Sequence, residues 1–326
     1  MSISHRITSV NERTSLERSI LATLCYFDYF HFPLTPFEIW KYLLYDFQNS
    51  SFMDVAATLT TSAFIQDLCE CKHGMYFLKG NESYVWERHD RYIFAERKYR
   101  KAHRAAWLFA RLPFVRMVAV VNTLAFSASR DDGDIDFLIV AERGYLWLVR
   151  ALTTFFMEVA GSRPRKGHMR DAICLSFFLS DDSLNLEHLL LLEKDGTPDV
   201  YLCMWTASCV PLYSEKEMYP RFYVANTWVE HLVPHRSVYT LNQRRKVSLG
   251  KTSPVVKKTF EWILSRLSWL ERSLQRLQLA ILPDELREAM NKDTRVVLNN
   301  QMIKCHPNDR REEIRKAFIQ KFGKMV

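Results

Sequence analysis

The stretch that decides the fold runs from residue 114 to residue 140 and reads FVRMVAVVNTLAFSASRDDGDIDFLIV. Its first part, Phe114 to Val121, is apolar and β-branched apart from one arginine, which predicts a buried strand. Asn122 and Thr123 end this run, and Leu124 to Ser129 reads as a short helical piece. The sequence therefore predicts a strand, a small polar turn and a short helix in that order.

A second strand follows the polar turn Arg130 to Gly133 and runs from Asp134 to Val140. Side chains alternate along a strand, so Asp134 and Asp136 project from the same face. Carboxylate oxygens are the ligands that magnesium prefers, usually together with substrate phosphates. The pair predicts a magnesium site for phosphoryl transfer, and the alternative is a polar strand start whose carboxylates are solvated.

Two segments in this stretch resemble a known family. The residues Val118 to Ala125 and Gly133 to Val140 are similar to the core of the polymerase-beta-like nucleotidyltransferase superfamily. More narrowly, the chain resembles bacterial nucleotidyltransferase-domain proteins with a winged-helix region in front and a helical tail behind. The resemblance extends to Tyr76 to Gly80 and to His306 to Arg310. It implies magnesium-dependent transfer of a nucleoside monophosphate from a nucleoside triphosphate to an unknown acceptor hydroxyl.

The resemblance assigns roles to four residues. Asp134 and Asp136 would be the catalytic, metal-binding pair, and Asn122 and Thr123 would bind the nucleotide. The family has Gly-Ser where this chain has Asn122 and Thr123. Threonine keeps the hydroxyl, and asparagine tolerates a left-handed backbone, but its side chain adds bulk where phosphate should lie.

The family also carries a third carboxylate on a later strand, which we expect from Ala172 to Leu179. The equivalent positions are Cys174 or Ser176, neither of which is acidic. Asp181 and Asp182 follow that strand and could reach inward, or they could form an ordinary polar turn. These departures leave an alternative function open, a catalytically inactive nucleotidyltransferase-fold scaffold or interaction subunit.

The N-terminal region predicts helix, helix, helix and hairpin, the order of a winged helix-turn-helix. Thr35 to Glu38 forms a capping box with proline at the first helical position, a third helix is expected from Phe52 to Ala63, and His73-Gly74 suits a hairpin turn. No lysine or arginine occurs between Tyr42 and Cys71. Since DNA reading needs cations opposite phosphates, we disfavour duplex DNA and expect a module that either contacts a protein or packs within the chain.

Two segments are rich in cations. Arg91 to Arg111 predicts a basic amphipathic helix that either is solvated or steers phosphates toward the site. A loop from Arg163 to Arg170, which includes Lys166, could neutralise a triphosphate or an RNA end, although basic loops are usually surface features.

The C-terminal part predicts a helix of about six turns, in which apolar residues from Phe260 to Ile281 keep near-heptad spacing. Such a helix needs a partner surface, either the core of this chain or another protein. The tail, Asp309 to Lys324, predicts a charged helix with no chemical signature. We therefore expect three domains: a winged helix in residues 1–90, the nucleotidyltransferase-like core in 91–235 and a helical region in 236–326. The fold class is a mixed α+β or α/β fold.

Composition and charge set the broad class. The chain has 326 residues, of which 48% are hydrophobic and 25% charged, with a net charge of +8, as in folded globular proteins. Seven scattered cysteines favour reduced thiols. The most apolar stretch, Leu146 to Ala160, is too short to span a bilayer and carries two charges. With no secretory signal apparent, we expect a cytoplasmic protein with no membrane partner.

Overall fold

The computed structural model describes residues 16–165, 167–192, 197–215, 217–237, 244–250 and 253–325. Lys166 of the predicted basic loop lies outside these residues. The described strands are β1 (Cys69–Lys72), β2 (Met75–Leu78), β3 (Val115–Val120), β4 (Ile135–Ala141), β5 (Ile173–Ser180), β6 (Val210–Ser214), β7 (Val296–Leu298) and β8 (Met302–Cys305).

A six-stranded mixed sheet in the order β6-β3-β4-β5-β8-β7 forms the centre of the fold. The strands β4 and β5 run parallel, and every other neighbouring pair in this sheet is antiparallel. Asp136 on β4 is in register with Cys174 on β5. The N-terminal residues of these two parallel strands therefore lie side by side at the same end of the sheet.

Both faces of the sheet are covered, which explains why the central strands are apolar throughout. On β4, Phe137 and Ile139 belong to one buried apolar cluster, whereas Leu138 and Val140 belong to another on the opposite face. The alternation that places two aspartates on one face thus also divides the strand between two cores. The mixed α/β class predicted from the sequence is confirmed.

The helices cover these two faces and extend the chain on either side. They are α1 (Leu16–Asp28), α2 (Pro36–Lys41), α3 (Phe52–Thr61), α4 (Ala63–Leu68), α5 (Ser83–Phe109), α6 (Asn122–Ala125), α7 (Leu146–Val159), α8 (Val200–Ser208), α9 (Met218–Ala225), α10 (Ser253–Ser265), α11 (Ser268–Ala280), α12 (Asp284–Ala289) and α13 (Arg311–Gly323). Short 3-10 turns occupy Glu187–Leu189 and Thr227–His231. The helices α5 and α7 share the apolar cluster of one sheet face, and α8 and α9 share that of the other.

The N-terminal elements form where capping residues start them. The Thr35 side chain accepts from the Glu38 amide, and the Glu38 carboxylate accepts from the Thr35 amide at 2.8 Å, which confirms the predicted capping box. The predicted third helix is followed by the separate α4, since Ser62 ends one helix and caps the next. At the β1–β2 turn, His73 and Gly74 both have positive φ, as the predicted hairpin requires.

The prediction of one long C-terminal helix is wrong. The chain forms α10 and α11 with a break at residues 266–267, and each helix is anchored to the core by its own carboxylate. Glu261 accepts from the Phe114 amide, and Glu271 accepts from the amides of Trp147 and Leu148 at the start of α7. A heptad pattern describes only the spacing of apolar residues, so it does not predict hydrogen bonds between these carboxylates and the core.

Three strands of the central sheet were not anticipated. The edge strand β6 pairs with β3, and β7 and β8 form a hairpin before α13. Because β8 pairs with β5, this hairpin brings the C-terminal tail to the sheet. Within the described residues, every helix is too short or too polar to cross a lipid bilayer. The domain boundaries stay a prediction.

We predict that Phe137→Ala lowers the free energy of unfolding by about 3–5 kcal/mol, because it leaves a cavity under β4. Phe137 is fully buried and contacts Phe109 edge to face. The measurement is urea unfolding of the variant and of the matched control Phe155→Ala, whose ring is mostly exposed on α7. Equal stability losses in both variants would contradict this picture of the core.

Candidate functional site

The two predicted carboxylates lie side by side at the start of β4. Asp134 and Asp136 are both half-buried, and the thiol of Cys174 joins them from β5. One ligand atom from each of these three residues lies within 4.8 Å of the others, a spacing that allows one cation to contact all three. The structure thus brings together the residues that the alternation of the strand predicted.

A buried lysine fixes the turn in front of this pair. Lys98, on the predicted basic helix, is fully buried, and its Nζ donates to the carbonyl of Gly133 and to Asp171 Oδ1 at 2.8 Å. Arg97 donates to the second oxygen of Asp171 at 2.9 Å. The backbone that enters β4 is therefore held by charged groups on α5, which sets the position of Asp134.

Asn122 closes over one of the two carboxylates. Its φ is +57°, in the left-handed region that asparagine tolerates. Its Nδ2 donates to Asp136 Oδ2 at 2.7 Å, and its Oδ1 accepts from the Tyr201 hydroxyl at 3.0 Å. Thr123 is exposed beside it. Asn122 therefore forms a hydrogen bond with one oxygen of Asp136, and the hydrogen bond from Tyr201 on α8 holds the asparagine side chain in place.

An open cleft of about 830 Å³ lies in front of the carboxylates. Its walls come from the end of α1 (Tyr29 and His31), from the sheet edge and from the C-terminal segment 304–314. The cations that line it are Arg91, Arg130, Lys304, Arg310 and Arg311. A cleft with an acidic floor and basic walls can hold an anion together with a cation.

The basic wall is partly committed to internal ion pairs. Asp309 accepts from Arg311 at 2.8 Å and lies 3.4 Å from Lys304, and Arg311 also donates to Asp199 at 2.9 Å. Burial lowers the pKa of Lys304 to about 8. Arg130, in contrast, is largely exposed and is paired only with its neighbour Asp132 among the contacts seen. These pairs stiffen the wall, and the pair of Arg130 with Asp132 is the more exposed one.

No carboxylate completes the pair from the expected strand. Within the described residues, the three-residue cluster with metal-binding spacing is Asp134, Asp136 and Cys174. Of the two alternatives for Asp181 and Asp182, the structure shows the polar turn, because both follow the far end of β5 and do not reach the pair. There Asp181 Oδ1 accepts from the Arg143 amide at 2.9 Å.

Burial dominates the electrostatics of the pair. Desolvation, with the neighbouring charge of Asp134 as the next cause, raises the pKa of Asp136 to about 7. Desolvation likewise raises the pKa of Asp134 and of the Cys174 thiol. The pair therefore retains a proton near neutrality unless a cation replaces it. Two carboxylates and a thiol suit a divalent ion, and carboxylate oxygens suit magnesium in particular.

The C-terminal wall of the cleft was not predicted to be part of the site, although the resemblance extends to His306 to Arg310. His306 follows β8, and its Nε2 lies 3.4 Å from the hydroxyl of Ser176. Burial lowers the pKa of His306 to about 4, so it is neutral. The hairpin that leads to this wall could have been predicted from the sequence. Val296 to Leu298 and Met302-Ile303 are short apolar runs typical of strands, and Asn299-Asn300 between them is typical of a turn.

Comparison of the chain with protein-family models, with curated proteins and with solved structures found no match. The function of the chain is therefore inferred from the geometry and chemistry of this cleft.

The raised pKa of Asp136 predicts a specific pH dependence of stability. The folded chain holds this proton more tightly than the unfolded chain, in which the pKa has its ordinary value of 3.8. The stabilisation is complete below that value and is lost as the pH rises to about 7. Asp136→Asn removes the ionisation, so we expect its stability relative to the natural chain to rise by roughly 2–4 kcal/mol between pH 4 and pH 8.

The measurement is urea unfolding at several pH values without divalent cations. Asp284→Asn serves as the control because this carboxylate is highly exposed on α12. If the stability difference between Asp136→Asn and the natural chain did not change with pH, the pKa of Asp136 would not be raised in the folded chain.

Proposed function

We propose that this chain has a polymerase-beta-like nucleotidyltransferase fold and transfers a nucleoside monophosphate, with magnesium, from a nucleoside triphosphate to an acceptor hydroxyl. The observation that carries the proposal is the placement of Asp134 and Asp136 side by side at the start of β4, at the floor of an open cleft whose walls include five lysine and arginine side chains. A triphosphate needs both features, since its metal binds carboxylates and its remaining charge needs cations.

The residues of this chain would act as follows. Asp134 and Asp136, with their proton displaced, would hold magnesium, which supplies charge stabilisation to the phosphates when it is bound. Thr123 is exposed and lines the cleft, and its hydroxyl would donate to a phosphate oxygen. Arg130 at the rim would neutralise the outer phosphates.

The reaction proposed is a displacement at the α-phosphorus. The acceptor oxygen forms a bond to that phosphorus as the bond to the departing pyrophosphate breaks, and the acceptor hydroxyl gives its proton to water. Lys98 would contribute by positioning, because it fixes the turn from which Asp134 projects. Its removal would misplace the carboxylate without touching the substrate.

The N-terminal region is proposed to be a winged helix that contacts protein. Its helices and hairpin occur in the order of that fold. Its third helix, α3, carries an aspartate at its start and no cation. That composition does not suit a DNA phosphate backbone.

The nucleotide proposal is tested by calorimetry with each of the four nucleoside triphosphates in the presence of magnesium. We expect heat with at least one nucleotide for the natural chain and none for Asp134→Asn, which removes half of the metal-binding charge. Asp182→Asn is the matched control, because this carboxylate lies past the far end of β5, and it should bind as the natural chain does. Absence of heat with every nucleotide would refute the proposal.

A second candidate function, an inactive scaffold of the same fold, is favoured by one observation. Asn122 donates to Asp136 at 2.7 Å and stands where the resembled family has glycine. An oxygen engaged in this way is less available to a cation, and its release has a free-energy cost of roughly 1 kcal/mol. In this case the cleft would bind a partner or nothing, and its carboxylates would be dispensable.

Asn122→Gly distinguishes the two functions. Glycine accepts the positive φ at this position and frees the oxygen of Asp136. If the chain is an enzyme hindered by the asparagine, we expect magnesium-nucleotide affinity to increase by roughly fivefold, measured by the same calorimetry. Unchanged absence of binding in both the natural chain and Asn122→Gly would support the scaffold.

A further inference from the structure

The helix α10 directs two charged side chains toward the core and several large apolar side chains toward solvent. Its polar residues Lys257 and Glu261 face inward, where Lys257 is almost fully buried and donates to the carbonyl of Val115 and to Glu215. Glu261 pairs with Arg116 at 2.8 Å. Buried ionic anchors of this kind replace the apolar contacts that usually hold a surface helix.

The outward side of α10 carries the apolar residues instead. Val255, Val256, Phe260, Trp262 and Ile263 are all exposed, with 60% of Trp262 accessible to solvent. On a helix with 100° between residues these side chains cover one continuous arc. A folded chain does not normally leave such an apolar arc in water, so it indicates a surface that is covered in use.

The next helix also exposes large apolar side chains. On α11, Trp269 is also 60% exposed, and Leu277 and Ile281 at its end are exposed as well. Each helix has one carboxylate, Glu261 or Glu271, and both are turned inward to accept hydrogen bonds from the core. Among the described residues of these two helices, large apolar side chains are therefore exposed, whereas neither carboxylate lies on the outward side.

Cations are interleaved with the apolar residues. Lys258 and Arg266 on and after α10 are exposed, as are Arg272 and Arg276 on α11. The guanidinium of Arg266 lies 4.0 Å from the centre of the Trp262 ring. Tryptophan beside arginine and lysine, with an apolar arc between them, is the composition of helices that lie in the interface of an anionic membrane.

We propose that the outward faces of α10 and α11 bind the surface of a bilayer that contains anionic lipids. Charge complementarity selects this occupant over a second copy of the chain, because two such faces brought together would oppose four cations to four cations. The expectation of no membrane partner was based on the length of an apolar stretch. Length does not bear on a helix that lies in the plane of the interface.

The test is sedimentation of the full chain with vesicles of phosphatidylcholine alone and of phosphatidylcholine with 30 mol% phosphatidylglycerol. We expect binding to the anionic vesicles, much weaker binding to the neutral ones, and weakening by 0.5 M sodium chloride because salt screens the lipid charge. Equal binding to both vesicles, or binding to neither, overturns the proposal.

Two variants locate the contact. Replacement of Trp262 and Trp269 by serine should weaken binding roughly tenfold or more, and Arg272→Glu with Arg276→Glu roughly thirtyfold. Trp86→Ser is the matched control, because Trp86 is 61% exposed on α5, away from this surface, and it should bind as the natural chain does. Unchanged melting temperatures show that the variants fold.

A second measurement addresses the alternative occupant. Light scattering of the purified chain without vesicles should give the mass of a monomer over a range of concentrations. A dimer that dissociates in the double tryptophan variant would overturn the lipid proposal in favour of self-association. Quenching of tryptophan emission by brominated lipid in the natural chain, reduced in the double variant, would support the proposal without relying on binding strength.

Discussion

The repulsion between Asp134 and Asp136 is the constraint on which the cleft depends. Two neighbouring carboxylates that are partly removed from water can both ionise only if a cation lies between them, and otherwise the pair retains a proton. The surroundings hold them in place: Lys98 fixes the turn before the first, and Asn122 holds an oxygen of the second. Such a pair would be destabilising in a strand that served packing alone, so its presence at the floor of a cleft favours a role in binding.

The sheet explains why this pair can be rigid. The strand β4 is buried on both faces from Phe137 onward, so it cannot slip by one residue without moving apolar side chains between two different cores. The register with β5 then fixes Cys174 opposite Asp136. The chemistry at the end of the strand is therefore positioned by packing further along it.

Local patterns predicted the elements that are continuous in sequence. The strand around the aspartates, the capping box at Thr35 and the hairpin at His73 follow from alternation, side-chain capping and turn composition, each of which acts over a few residues. The cleft wall from Lys304 to Arg311 was not predicted, because it reaches the site only through the pairing of β8 with β5, about 130 residues apart in the chain. No local rule encodes that pairing.

The break between α10 and α11 is a second feature that local sequence patterns did not predict. A heptad pattern reports which residues are apolar but not whether their side of the helix faces the core, and here Lys257 and Glu261 take the inward positions. Leu264, Leu270 and Leu274 do pack against the core, so the pattern was correct for the residues between the anchors. The apolar residues left outside are those for which the fold supplies no partner within the described chain. An external apolar and anionic surface would satisfy them without any change in the fold.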